Sequence, residues 1–163
     1  MTISQYLKSI RNELAAGNAT QHTHRSALKS LIESLAEKIA ATNEPQRIKC
    51  GAPDYIVTRG QVPLGYIEAK AVGVSLDTAE KTEQLARYRE SLGNLILTDY
   101  LEFCWYVTPR PVRLVRMKEG SGSIASSTSR WCRPKFGTFT LAAIRFARSG
   151  SRIAKAANSP TTT

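Results

Sequence analysis

GAPDYIVTRGQVPLGYIEAK, residues 51–70, contains two short apolar runs separated by a turn. Runs of this length bounded by Gly and Pro read as strands, here Asp54–Thr58 and Gly65–Ala71, with Arg59-Gly60 starting the turn between them. Along a strand, residues two apart share a face. Glu68 and Lys70 therefore project together, while Ile67 and Ala69 face the other way. If the two strands pair as a hairpin, Asp54 comes level with the Glu68–Lys70 region, and two carboxylates and an ammonium converge on one patch. Hard oxygen donors of this kind suit Mg²⁺, and a lysine beside them can orient a water or help deprotonate it. An isolated E-x-K is more often a solvated strand face carrying a salt bridge. Here the flanking YIEAK sequence is largely apolar and Asp54 follows Pro53 at a strand start, and both features favour a functional patch.

The neighbouring segments give the patch a setting. A helix is expected over Thr2–Ala16, closed by Gly17, and a second from Thr20 or Thr23 to about Ala40. In the second, Leu28, Leu31, Ile32, Leu35 and Ile39 recur at helical spacing. Arg47–Cys50 reads as a further short strand, and Asp77–Ser91 as a helix with Leu85, Tyr88 and Leu92 on one side. Strands over Asn94–Thr98 and Phe103–Val107 follow, linked by an Asp99–Glu102 turn. The order helix, three strands, helix, two strands implies an α/β sandwich built around a central mixed sheet with flanking helices.

Pro53-Asp54, followed after thirteen residues by Glu68-Ala69-Lys70, resembles the catalytic motif of the PD-(D/E)xK nuclease superfamily. Gln84-Leu-Ala-Arg-Tyr88 is similar to the Q-x-x-x-Y motif of some branches of that superfamily. Whole phrases are similar to the N-terminal nuclease domain of single-chain restriction-modification enzymes that also carry an adenine-specific DNA methyltransferase. These are THRSALKSLIESL, ATNEPQRIKCGAPDYIV, LGYIEAKAVGVSLD and EQLARYRESLGNLILTDYLEFCWYV, and the likeness covers about residues 3–107. It implies a restriction-endonuclease-like fold and Mg²⁺-dependent hydrolysis of double-stranded DNA leaving a 5′-phosphate. By motif, Asp54 and Glu68 would ligate the metal. Lys70 would position the attacking water, and Gln84 and Tyr88, one helical turn apart, would reach the same site. Members of this fold often carry an acidic residue on the first core helix facing the metal. Glu33 falls away from the apolar stripe, and Gln21 stands where an acidic residue is more usual.

The charge of the 163-residue chain is unevenly distributed. Its net charge of +10 rests on 23 Lys+Arg against 13 Asp+Glu. Residues 1–107 hold 12 of each sign, so the excess belongs to residues 108–163, where Glu119 is the one acid. That tail is rich in Ser, Thr, Arg, Ala and Gly and buries little apolar surface. It reads as poorly ordered, with a short basic helix conceivable over Thr140–Ala157. A boundary near Val107 therefore separates a nuclease-like domain, 1–107, from a basic tail, 108–163. The tail is either a phosphate-neutralising arm or an out-of-frame translation that leaves the domain truncated. The weak clustering of its Lys and Arg favours the second.

Other residues carry blander readings. His24 of the His22-x-His24 pair projects onto the apolar stripe and is read as a packing or capping residue. Cys104, in FCWYV, reads as core rather than nucleophile, and Phe103, Trp105 and Tyr106 as a buried strand. Cys50, Cys104 and Cys132 form neither a disulfide framework nor a zinc pair. With no apolar window of spanning length and charges in the first residues, a cytoplasmic location is expected. The chain has no phosphate-binding loop and no methyltransferase tetrapeptide, so it is not expected to methylate DNA by itself, and a methyltransferase or specificity module on another chain is an expected partner. Three functions are compatible with these features: a DNA endonuclease domain, a catalytically silent DNA- or protein-binding module retaining the fold, and a protein that binds nucleic acid through its tail.

Overall fold

A computed structural model describes residues 1–107 and the backbone of one further strand over 110–116. The elements in chain order are α1 (Ile3–Ala15), α2 (Arg25–Glu33), β1 (Ile39–Asn43), β2 (Tyr55–Arg59), β3 (Val62–Ala69), α3 (Leu76–Ala79), α4 (Glu83–Ser91), β4 (Asn94–Thr98), β5 (Glu102–Val107) and β6 (Arg110–Arg116). The strands form one sheet in the order β1-β2-β3-β4-β5-β6. The β3–β4 pair is parallel and every other pair is antiparallel, so the sheet is mixed. The crossover between the parallel strands runs through α3 and α4, as such a pair requires. The expected α/β architecture, a mixed sheet with flanking helices, is the one observed.

The sheet separates two apolar layers. On one face, Tyr6 and Ile10 of α1 and Leu28, Leu31 and Ile32 of α2 pack against Tyr55, Val57, Ile67, Ala69 and Ile96. On the other, Leu85 and Tyr88 of α4 pack with Leu95, Leu97, Cys104 and Tyr106. Ile67 and Glu68, adjacent on β3, thus serve opposite layers, and the period-2 alternation places Glu68 on the side of α4. Two buried hydrogen bonds link distant parts of the chain. The Tyr6 hydroxyl donates to the Tyr100 carbonyl (2.7 Å), and Tyr55 donates to the Arg25 carbonyl (3.0 Å).

Local chemistry explains where the elements begin. Thr2 caps α1 in a reciprocal box with Gln5, with backbone-to-side-chain bonds of 2.8 and 3.2 Å. Several boundaries differ from those expected: the strand expected over Gly65–Ala71 runs Val62–Ala69 and leaves Lys70 just past its end, and the second helix begins at Arg25. The second helix ends at Glu33 rather than near Ala40. There the Ser34 hydroxyl donates to the Leu31 carbonyl (2.7 Å), Lys38 takes a left-handed turn conformation (φ +60°), and Ile39 opens β1. Ile39 lies four residues after Leu35, as a helical stripe requires, yet it alternates with Ala41 toward the core as a strand residue does.

The strand expected at Arg47–Cys50 is instead part of a loop between β1 and β2, closed by an isolated Ile48–Gly51 bridge. Pro45 and Pro53 bracket this loop, and neither can donate to a ladder. The single helix expected over Asp77–Ser91 is divided. Ser75 caps α3 and Thr82 caps α4, each accepting from a backbone N–H three residues on. Past the composition break at Val107, β6 continues the sheet, pairing with β5 from Val107–Arg110 to Glu102–Arg116. The conceivable helix over 140–157, Cys132 and most of the basic tail lie outside the described residues. No helix among the described residues is long and apolar enough to cross a membrane.

Candidate functional site

The β2–β3 hairpin pairs Tyr55 with Ile67. Asp54, one residue earlier, therefore stands opposite Glu68, as the hairpin arithmetic requires. The contact is direct: Asp54 Oδ2 accepts from the Ala69 N–H at 2.8 Å. Lys70 follows the end of β3, with its backbone N–H donating to the Thr98 carbonyl of β4 at 2.7 Å. Its ammonium turns back to Glu68 Oε1, also at 2.8 Å. The parallel β3–β4 register thereby fixes the lysine at the sheet's end, beside the carboxylate it serves.

From the opposite side α4 brings two further groups. Gln84 Nε2 donates to the same Glu68 oxygen at 3.1 Å and lies 3.3 Å from the Tyr88 hydroxyl. All five expected site residues, Asp54, Glu68, Lys70, Gln84 and Tyr88, therefore occur in one connected cluster. Glu68 is its centre and is only 4% exposed. Burial raises its carboxyl pKa above the usual range. The hydrogen bond from Lys70 opposes that shift and the nearby Asp54 charge adds to it.

Folded Glu68 thus holds its proton to higher pH than in the unfolded chain. The resulting stability is complete below the ordinary carboxylate range and is lost as pH rises through the raised Glu68 value. The melting temperature of the metal-free chain is expected to fall across that interval, and Glu68→Gln to remove this part of the slope. A pH series of thermal melts on both proteins checks it.

Tyr88 is nearly fully buried, and its ring lies against Gly51 in the β1–β2 loop. A Cβ at Gly51 would sit 2.8 Å from both the Tyr88 hydroxyl and Cε1, and Gly51 has φ +142°. The loop can approach the site because this residue has no side chain. Gly51→Ala is expected to displace Tyr88 and cost about 1–3 kcal/mol by overpacking. Chemical denaturation measures the loss, and a stability equal to wild type contradicts the contact.

The sequence reading missed Arg25. Its Nη2 donates to Asp54 Oδ1 at 2.7 Å, and its Nη1 bonds Glu44. The Arg25 side chain is 10% exposed and that of Asp54 is 16% exposed, so this is a largely buried ion pair. The signal was present, since Arg25 lies three residues before Leu28 and so extends the inward stripe of α2. Gln21 also joins the site, donating to the Ala69 carbonyl at 2.8 Å while its own carbonyl accepts from Tyr100 at 2.6 Å. Glu33 does not. It accepts from Lys29 and from the Ala41 N–H, tying α2 to β1. His24 is buried against Tyr100 and bonds Glu13 at 2.6 Å, in keeping with its expected packing role.

Among the described residues, no group of three or more His, Cys, Asp or Glu side chains surrounds a common point. The acidic residues at the site are Glu68 and Asp54, and both oxygens of Asp54 already accept from protein donors. That pair fits Mg²⁺, which keeps several waters and commonly takes only one or two protein carboxylates. A buried, desolvated Glu68 is also a group whose charge a cation would compensate.

A solved structure shares this fold. The cryo-EM structure of a DrdV–DNA complex superposes with a TM-score of 0.57 over 68% of this chain, at 22% sequence identity. The matched region is 12% of that chain, so this protein corresponds to a small part of its length. No family model matches the chain, and no curated protein matches it.

Proposed function

We propose that this chain is a Mg²⁺-dependent DNA endonuclease domain of a bacterial restriction-modification system, hydrolysing phosphodiesters of double-stranded DNA. One observation carries the reading: Asp54, Glu68 and Lys70 meet at the paired ends of β2 and β3, with Gln84 and Tyr88 closing the patch from α4. The likeness of the fold to part of a DrdV–DNA complex supports the choice of DNA.

Asp54 and Glu68 would hold the cation. When bound, it supplies Lewis-acid polarisation of a phosphoryl oxygen and offsets developing negative charge. Lys70 keeps its ammonium on Glu68, where it would orient the attacking water and steady the phosphoryl oxygens. Gln84 holds Glu68 in place. Hydrolysis forms a bond from the water oxygen to phosphorus and breaks the bond from phosphorus to O3′. The 3′ oxygen takes a proton, and the products are a 3′-hydroxyl and a 5′-phosphate. A methyltransferase or specificity module on another chain would be its partner, and a cytoplasmic setting suits a DNA substrate.

One contact favours a second reading. Both oxygens of Asp54 accept from protein donors, Arg25 and the Ala69 N–H, which would suit a catalytically silent DNA- or protein-binding module. Incubating the full chain with supercoiled plasmid and Mg²⁺ separates the two. The nuclease reading expects nicked and linear DNA with 5′-phosphate ends, abolished by chelation. Intact plasmid at every Mg²⁺ concentration favours the silent module.

A further inference from the structure

One side chain joins the carboxylate pair to the loop beside it. Arg25, at the start of α2, places its guanidinium between two carboxylates, with Nη2 on Asp54 Oδ1 at 2.7 Å and Nη1 on Glu44 Oε1. The sheet sets these carboxylates side by side. The β1–β2 ladder ends at Asn43–Tyr55, and just beyond it the Glu44 N–H donates to the Asp54 carbonyl at 2.8 Å. The two ion pairs differ in their surroundings: the Asp54 side chain is 16% exposed and that of Glu44 is 67% exposed.

Asp54 therefore carries an internal cation on the carboxylate that would hold an external one. Its Oδ2 bond to the Ala69 N–H belongs to the hairpin that sets Asp54 level with Glu68. The Arg25 bond to Oδ1 is the one that can be given up without disturbing that hairpin. Room for the guanidinium lies on the Glu44 side, where a cavity of about 460 Å³ is lined by Arg25 and Glu44 but not by Asp54. The Arg25 Nε is buried and makes no hydrogen bond among the described residues, a cost that a shift toward the exposed Glu44 would relieve by hydration. The charges favour the same shift. Glu44, Asp54 and Glu68 face Arg25 and Lys70, and with a divalent ion on the inner pair Arg25 would be repelled from Asp54 and drawn to Glu44.

We propose that Arg25 is a positioning residue that competes with the divalent cation for Asp54, and that Glu44 is the carboxylate to which its guanidinium retreats when the cation binds. Without metal, Arg25 keeps the largely buried Asp54 charge paired. On cation binding it gives up Oδ1 and keeps Glu44, so the Arg25–Glu44 pair sets the metal affinity without touching the reacting groups. This inference rests on the metal-site reading above and concerns binding, not hydrolysis.

The test is Mn²⁺ titration of the full chain, read as free ion by electron paramagnetic resonance, on wild type, Arg25→Gln, Glu44→Gln and the double variant. Arg25→Gln is expected to bind about tenfold more tightly, because no charge-assisted hydrogen bond is broken on binding. Glu44→Gln is expected to bind about threefold more weakly, since Asp54 is then the one carboxylate left to Arg25. That loss should disappear in the double variant, and its persistence there overturns the role given to Glu44. A purely structural Arg25 gives the opposite sign, because a disordered Asp54 binds metal less well. Should Arg25→Gln fail to fold, Glu44→Gln, altered at an exposed side chain, decides alone. Where wild type binds Mn²⁺, an Arg25→Gln affinity at or below wild type, or a Glu44→Gln affinity at or above it, overturns the proposal and leaves the metal site standing. Binding by Arg25→Gln where wild type shows none keeps the proposal and removes the nuclease reading of the wild-type chain. Absence of binding in every protein overturns both.

Discussion

Lys70→Ala is expected to lower Mg²⁺-dependent plasmid cleavage about 10²–10³-fold, the usual cost of deleting one charged or hydrogen-bonding group aimed at transition-state charge. The side chain is 22% exposed and rests on Glu68 Oε1, while its backbone bond to Thr98 does not depend on side-chain identity. The variant should therefore keep its far-ultraviolet circular dichroism, while its melting temperature falls because the buried Glu68 loses its ammonium partner. Loss of rate without loss of structure assigns the ammonium to the chemistry. Cleavage at the wild-type rate removes Lys70 from the mechanism.

Ile67→Ala is expected to produce the largest loss of stability, about 2–5 kcal/mol for truncating a buried Ile in a well-packed core. Ile67 is 0% exposed and lies mid-sheet, between Tyr55 on β2 and Ile96 on β4. It belongs to the layer covered by α1 and α2, on the opposite face from Glu68. No helix can refill the space without lifting from the strand, so a cavity remains. The urea midpoint should fall with little change in slope. The variant that stays folded should still cleave DNA, because the residue touches none of the reacting groups. A loss below about 1 kcal/mol would contradict the packing described.

The proximity of the candidate residues was more legible than the fold around them because they are local in sequence. Asp54, Glu68 and Lys70 lie on one hairpin, where strand period and turn position set their relation. Gln84 and Tyr88 are separated by one helical turn, which places them on a common face wherever α4 docks. What the sequence did not reveal is non-local or ambiguous. Leu35 and Ile39 satisfy helical spacing equally well whether or not the helix has ended, and the ending depends on Ser34 and on a left-handed Lys38. The Arg25–Asp54 pair spans 29 residues, so no local pattern predicts it, although a charged residue on the inward stripe was a usable sign. Gly51 became meaningful only once Tyr88 was found against it. The net charge of +10 says nothing about this domain, because residues 1–107 hold 12 charges of each sign, and the proposed DNA substrate rests on the cluster of Asp54, Glu68 and Lys70.

The claim that Asp54 and Glu68 form one divalent-metal site can be measured without any substrate. Titrating the full chain with Mn²⁺, followed by electron paramagnetic resonance of the free ion, is expected to show a single site that Mg²⁺ displaces. Asp54→Asn and Glu68→Gln should each abolish it. Mn²⁺ binding that both variants retain at wild-type affinity would contradict the account.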